Sequence, residues 1–189
     1  GAGALLHPTC LPGEQGCGVL DHHAVRFLDF LQAAGMKYWQ VCPLGPTGYG
    51  DSPYQCFSAF AGNTYLVDLA ALVPFDLLDD DDLAPLAALS ADRTDYGAIY
   101  HLKPRLLESA YTRFKAQRPA LPYGDFTAFC QKNADWLDAY AYFRALKDHF
   151  NGLAWWEWPL EARDFARAKK SPLRARLADA IAACQFGQY

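Results

Sequence analysis

The chain has 189 residues, 52% of them hydrophobic and 15% aromatic, with a formal net charge of -4 at pH 7. That composition supports a sizeable core in one domain or in a piece of a larger one. Without a basic stripe, nucleic acid is not expected as a partner. No apolar run reaches the roughly 18 residues of a membrane span, and no basic segment precedes a leader-like run, so no membrane partner is expected.

The first apolar run, Ala4-Leu5-Leu6, ends at His7-Pro8 and reads as a buried strand. Pro8, Pro12, Gly13, Gly16 and Gly18 then make a loop. Asp21 is a helix N-cap candidate. Ala24, Val25, Phe27, Leu28, Leu31 and Ala34 recur at helical spacing, and Gly35 fits the stop. A second apolar run over 38–42 gives strand, loop, helix and strand within about forty residues, the size of a β-α-β unit. Parallel strands covered on both faces read as continuous apolar runs, and both runs are of that kind.

The second strand feeds residues 43–63, where Pro43, Gly45, Pro46, Gly48, Gly50 and Pro53 restrict the backbone. Between them stand Tyr49, Asp51, Ser52, Tyr54 and Gln55. Flat rings stack on the apolar C–H face of a pyranose, and polar groups grip its hydroxyls. Ligands of α/β folds meet the loops at the carboxyl ends of strands, which places both this loop and the one after His7 where a site would form.

Beyond residue 68 the pattern turns helical. Residues 69–89 read as short helices and connections, with Asp79-Asp80-Asp81-Asp82 as a solvated loop or helix start rather than a metal loop. Asp95-Tyr96-Gly97 reads as a turn. Residues 100–115 read as a helix, and 125–150 as one long amphipathic helix closed by Gly152. Trp155-Trp156-Glu157-Trp158-Pro159 reads as a non-helical aromatic knot, a structural lock in preference to a sugar platform. Helix is expected again over 161–189. The six cysteines, at 10, 17, 42, 56, 130 and 184, include no C-x-x-C pair. They read as buried free thiols of a reducing, cytoplasmic compartment, and no metal or other cofactor is expected.

The loop carries a long resemblance to the 4-alpha-glucanotransferase family (amylomaltase, disproportionating enzyme). Its residues here are Tyr38-Trp39-Gln40-Val41, Pro43-Leu44-Gly45-Pro46-Thr47-Gly48-Tyr49-Gly50-Asp51-Ser52-Pro53-Tyr54-Gln55 and Phe57-Ser58-Ala59-Phe60-Ala61-Gly62-Asn63, with Leu66 and Asp68. Leu5-Leu6-His7-Pro8-Thr9 and Leu11-Pro12-Gly13 resemble the family's first strand and loop. Asp95-Tyr96-Gly97, Tyr100, Lys103, Trp136-Leu137-Asp138, Tyr140-Ala141, Phe143, Trp155 and Trp158-Pro159 extend the likeness over nearly the whole chain. It departs at Cys10, where serine is usual, at Cys17, where an aliphatic is usual, and at Thr64, where proline is usual.

The resemblance implies an α/β fold, the N-terminal portion of a (β/α)8 TIM barrel of the alpha-amylase clan with a largely helical insertion subdomain. Residues 1–68 would hold the first two barrel strands, the first helix and the glucan-binding loop. Residues 69–189 would be the insertion leading toward the next strand. The implied reaction is retaining transfer of an alpha-1,4-glucan segment to glucose or another glucan, in maltodextrin or glycogen metabolism. It needs a carboxylate nucleophile and a carboxylic acid.

Neither Asp21-His22 nor Asp148-His149 follows a strand with an arginine two residues before, as the clan's nucleophile does. Asp21 reads as a cap and Asp148 as a surface charge. The catalytic acids are therefore expected downstream of this chain. By resemblance Ser52 and Tyr54 line the donor subsite, with Tyr54 stacking on a sugar ring. Tyr49 and Tyr100 match tyrosines of a second glucan groove, Tyr100 having packing at a helix start as its alternative. Asp51 and His7 read as loop braces. The competing function is a non-catalytic maltodextrin-binding module, which two strands with unpaired edges disfavour. Alone, the chain is expected to be marginally stable or prone to aggregate.

Overall fold

The computed structural model describes Gly1–Tyr189 throughout. The chain forms two compact units, Gly1–Pro119 and Ala120–Tyr189. The first unit opens with β1 (Gly3–Leu5), α1 (His22–Ala33) and β2 (Tyr38–Gln40). The strands are parallel, with Gly3 opposite Tyr38, Ala4 opposite Trp39 and Leu5 opposite Gln40. Gly3 is required by this pairing, because a Cβ there would meet the Tyr38 carbonyl oxygen at 2.6 Å. The Trp39 indole donates to the Leu6 carbonyl at 2.8 Å. The Phe27 ring meets Trp39 edge-on at 5.1 Å, which docks α1 on β2.

Asp21 caps α1 by accepting from the His23 amide at 2.7 Å, and Gly35 leaves the helix at φ +68°. The expected burial of both strands is not found. Each has three residues, the flanking positions of both are exposed, and Leu5 and Tyr38 are each 65% exposed. α1 buries Ala24 and Leu31 and leaves Val25, Leu28 and Phe30 exposed. The physical reason is surface: a two-stranded sheet offers too little of it to cover two apolar strands and a helix face.

Two loops follow the two strands. Pro8–Cys10 make a 3-10 turn capped by His7. Gln15 ties this first loop to the end of the second. Its amide donates to Asp68 at 2.7 Å, and its oxygen accepts from the Leu69 amide at 2.9 Å. The helices of this unit are α2 (Asp80–Ala87) and α3 (Tyr96–Gln117). Asp79 and Asp82 form a reciprocal capping box that starts α2, and Arg113 of α3 pairs with both at 3.2 and 2.9 Å. Asp95 accepts from the Ala98 amide and caps α3, so Asp95-Tyr96-Gly97 begins a helix and is not a free turn.

The second unit is helical: α4 (Phe126–Lys132), α5 (Ala134–His149), α6 (Leu160–Arg163), α7 (Phe165–Ala168), α8 (Pro172–Arg176) and α9 (Ala178–Gln188). The single helix expected over 125–150 breaks at Asn133. That side chain donates to the Phe129 carbonyl at 2.9 Å and accepts from the Trp136 indole at 3.3 Å. Asn competes in this way with the helical ladder. Ala141, Tyr142, Ala145 and Leu146 of α5 form the core with Trp158, Ala162, Ala168 and Ile181. The tryptophan segment is a 3-10 turn, Trp155–Glu157, rather than non-helical. Only Trp158 of its three indoles is locked in the core; Trp155 and Trp156 are exposed.

Candidate glucan-binding site

Residues 43–63 fold as a closed hairpin springing from the end of β2. Its base is fastened by the Asn63 amide to the Leu44 carbonyl at 2.7 Å. Higher up, Phe57 donates to Pro46 and Gly48 to Gln55, both at 3.0 Å. Thr47 and Cys56 form an antiparallel bridge between the arms. Gly45 lets the arms approach, since a Cβ there would sit 3.0 Å from both the Cys56 sulfur and the Ser58 carbonyl oxygen. The tip reverses through Gly50 and Asp51, at φ +83° and +51°. A left-handed Asp is uncommon but accessible. The Asp51 carboxylate accepts from the Thr47 hydroxyl at 3.2 Å. Asp51 thus braces the tip, and it is the one carboxylate within residues 43–63.

The hairpin pairs its backbone and displays its rings. Tyr49 is 100% exposed and Tyr54 76%. Ser52 Oγ accepts from the Tyr54 amide at 3.4 Å, so these two residues share one turn. The Tyr54 hydroxyl donates to the Cys42 sulfur at 3.7 Å. That bond raises the Tyr54 phenol above its ordinary value, because it and the neighbouring thiol charge both favour the protonated form. Tyr100 is exposed on the first turns of α3, its ring edge-on to His101 at 5.1 Å. The structure therefore groups Ser52, Tyr54, Tyr49 and Asp51 on one hairpin and sets Tyr100 on a separate helix.

His7 stands at the end of β1. Its Nδ1 lies 2.7 Å from the Thr9 hydroxyl and accepts from the Thr9 amide at 3.4 Å. Accepting at Nδ1 puts the ring proton on Nε2, which is buried without a hydrogen bond of normal geometry. Burial lowers the His7 pKa below 6.5, and the nearby Pro43 carbonyl offsets this in part. The ring thus holds the first loop's turn and faces the start of the second loop.

Two residues of this region carry roles that sequence reasoning missed. Lys103 of α3 is fully buried and donates to the Tyr65 carbonyl at 2.6 Å, tying α3 to the end of the hairpin. Its signal was present, because Lys103 occupies the stripe of Ile99, Leu106 and Ala110 at helical spacing. Cys42, expected as a buried thiol, is half-buried and is the acceptor for Tyr54. All six cysteines are free; Cys17 is buried, Cys10 is exposed and the remaining four are intermediate, so uniform burial is not found.

Asp21, His22 and His23 place one ligand atom each within 4.8 Å of the others. Asp21 is committed to capping α1, and the positive N-terminus of that helix disfavours a cation there.

Residues 6–189 match the family described as 4-alpha-glucanotransferase. The chain belongs to the 4-alpha-glucanotransferase family. It is 45% identical over 187 residues to the 4-alpha-glucanotransferase of Thermus thermophilus, covering 99% of this chain and 37% of that protein. With the Streptococcus pneumoniae enzyme the identity is 42% over 190 residues, covering 100% of this chain and 37% of that protein. With the chloroplastic/amyloplastic enzyme of Solanum tuberosum it is 37% over 163 residues, covering 84% and 28%.

Among solved structures, amylomaltase from Streptococcus agalactiae in complex with acarbose superposes with a TM-score of 0.85 at 34% identity. The match covers 99% of this chain and 38% of that one. This member of the family thus spans a little over a third of the length of the Thermus and Streptococcus proteins. The fold observed is mainly helical with a small parallel sheet, and no helix is long and apolar enough to cross a membrane.

Proposed function

We propose that this chain is the glucan-gripping N-terminal part of a retaining 4-alpha-glucanotransferase built on a (β/α)8 barrel. In this reading residues 1–68 supply two barrel strands and the binding hairpin, and residues 69–189 the helical insertion. The observation that carries it is the hairpin itself: rigidly bonded along its arms, placed after β2, and displaying Tyr49 and Tyr54 to solvent. Ser52 and Tyr54 line the donor subsite, with the Tyr54 ring beneath a glucose unit. Tyr49 and Tyr100 serve a second groove for the same alpha-1,4-glucan. Asp51 and His7 hold the loops that carry these groups.

Retaining transfer requires two carboxyl groups about 5–5.5 Å apart across the scissile bond. Asp51 is hydrogen-bonded within the hairpin, Asp21 caps α1, and Asp148 pairs with Arg144 one helical turn away at 3.4 Å. These three carboxylates are committed to structural contacts, and the reading assigns the bond-breaking acids to residues beyond these 189. The part played here is positioning. Held rings and hydroxyl-binding groups fix the glucan relative to the reacting carbon, a contribution of proximity and orientation. They also retain a sugar acceptor where water would otherwise enter.

The test is the complete protein with maltotriose. Glucose release accompanied by maltodextrins longer than the substrate is expected. Reducing ends that accumulate without longer products would identify a hydrolase and overturn the reading, and binding without turnover would identify a maltodextrin-binding protein.

A further inference from the structure

The hairpin leaves one problem for a stacking ring. Tyr54 is 76% exposed, and a ring so little packed samples several rotamers, which binding must then freeze. The structure restrains it at both ends. Its backbone sits in a turn whose amide donates to Ser52 Oγ, and the following Cys56 thiol donates to the Pro53 carbonyl at 2.9 Å. The ring's far end donates its hydroxyl to Cys42, twelve residues earlier and two residues past the end of β2.

We infer that Cys42 is a positioning residue for glucan binding: its sulfur tethers the Tyr54 hydroxyl to the strand end and holds the ring ready for the sugar. This rests on the proposal that Tyr54 stacks on the glucan. Sulfur suits the task because it is a weak acceptor, so the tether fixes the ring's direction while letting it adjust as the sugar arrives. Cys56 is a different case. Its thiol donates to the Pro53 carbonyl within the hairpin arm, so it shapes the turn.

The tether acts on ground state and transition state alike, so its loss belongs in KM and not in kcat. In the complete enzyme, Cys42→Ala should raise KM for maltoheptaose about two- to threefold, the lower end of what one net hydrogen bond converts to, because sulfur accepts weakly. Cys42→Ser, which keeps an acceptor, should restore most of it. Tyr54→Phe removes the donor without touching the strand end and should cost the same factor. The double variant Cys42→Ala/Tyr54→Phe should be no worse than either single one, since both delete one bond. A merely structural role for Cys42 would instead lower the thermal midpoint and add its effect to that of Tyr54→Phe.

Tyr54→Ala separates the two levels of the argument. If it weakens binding strongly while Cys42→Ala and Tyr54→Phe leave KM unchanged, the tether is refuted and the stacking role stands. If Tyr54→Ala itself leaves KM unchanged, both fall together.

Discussion

Lys103 points its ammonium at the backbone carbonyl of Tyr65, 2.6 Å away, from a position with no solvent exposure. The Cys17 thiol donates to the same oxygen at a longer 3.8 Å. One buried carbonyl thus gathers the first loop, the end of the hairpin and α3. Replacing Lys103 by Met keeps the apolar stem and leaves that oxygen with the weak thiol donor alone. A buried acceptor deprived of its partner costs about 1–3 kcal/mol, and Lys103→Ala should cost more through the cavity it leaves. The denaturant midpoint of the complete protein measures both.

The same residue sets a pH dependence. Burial lowers the Lys103 pKa below 10.5, opposed in part by Cys17, Asp68 and Asp21. Between its folded value and 10.5 the unfolded chain holds more protons, so stability rises with pH across that window. Burial raises the Cys17 thiol above 9.0, which acts with the opposite sign. Lys103 and Cys17 also act on each other, so the Lys103 contribution is the difference in slope between Cys17→Ala and Cys17→Ala/Lys103→Met, and a difference of zero would refute it.

His7 predicts an effect on the acid side. Its folded pKa lies below 6.5 because burial disfavours the imidazolium. The stability it contributes is complete above 6.5 and is lost as pH falls through the lower folded value. His7→Asn keeps an acceptor at the cap position and removes the titration. Protection factors of residues 8–19 against hydrogen exchange, which divide out the intrinsic pH dependence of the amides, should fall on acidification in the wild type and stay flat in the variant.

Gly18 is the tightest backbone approach in the first loop. An added Cβ would meet the Pro8 carbonyl at 2.2 Å and the Leu11 carbonyl and amide at 2.6 and 2.7 Å, all backbone atoms that cannot swing aside. Gly18→Ala should destabilise the complete protein by roughly 1–3 kcal/mol, the usual range for overpacking. Gly35→Ala is the comparison, because no atom lies within 4 Å of its Cβ and only its φ of +68° opposes the substitution.

Local signals carried well from sequence to structure, and long-range ones did not. Asp21 was legible as a cap, since capping depends on the next two or three residues, and the glycines and prolines of 43–63 marked a turn-rich loop. The break at Asn133 was hidden in an apolar period that runs on through Trp136 and Tyr140. It depends on one side chain choosing the Phe129 carbonyl over solvent. Lys103 stood in a core stripe, but its acceptor lies 38 positions away. The Cys42–Tyr54 contact spans twelve positions across a hairpin whose closure no single residue announces. The exposure of Leu5 and Tyr38 follows from how many strands pair beside them, which the runs themselves do not encode.

Tyr49 offers a clean separation of binding from folding. Its side chain is fully exposed, while the turn beneath it is held by backbone bonds from Asp51 to Gly48 and from Gly48 to Gln55. Truncating such a residue falls in the class of surface substitutions that change stability by no more than about 0.5 kcal/mol. If the ring serves a second glucan groove, Tyr49→Ala in the complete enzyme should weaken binding of long maltodextrins several-fold and leave maltotriose turnover nearly unchanged, because only a long chain reaches both the groove and the donor subsite. Linking two contacts on one ligand multiplies their effect, so Tyr49→Ala/Tyr100→Ala should flatten the dependence of KM on glucan length. Equal losses for maltotriose and for long maltodextrins would place Tyr49 at the donor subsite instead, and no loss for either would remove it from binding altogether.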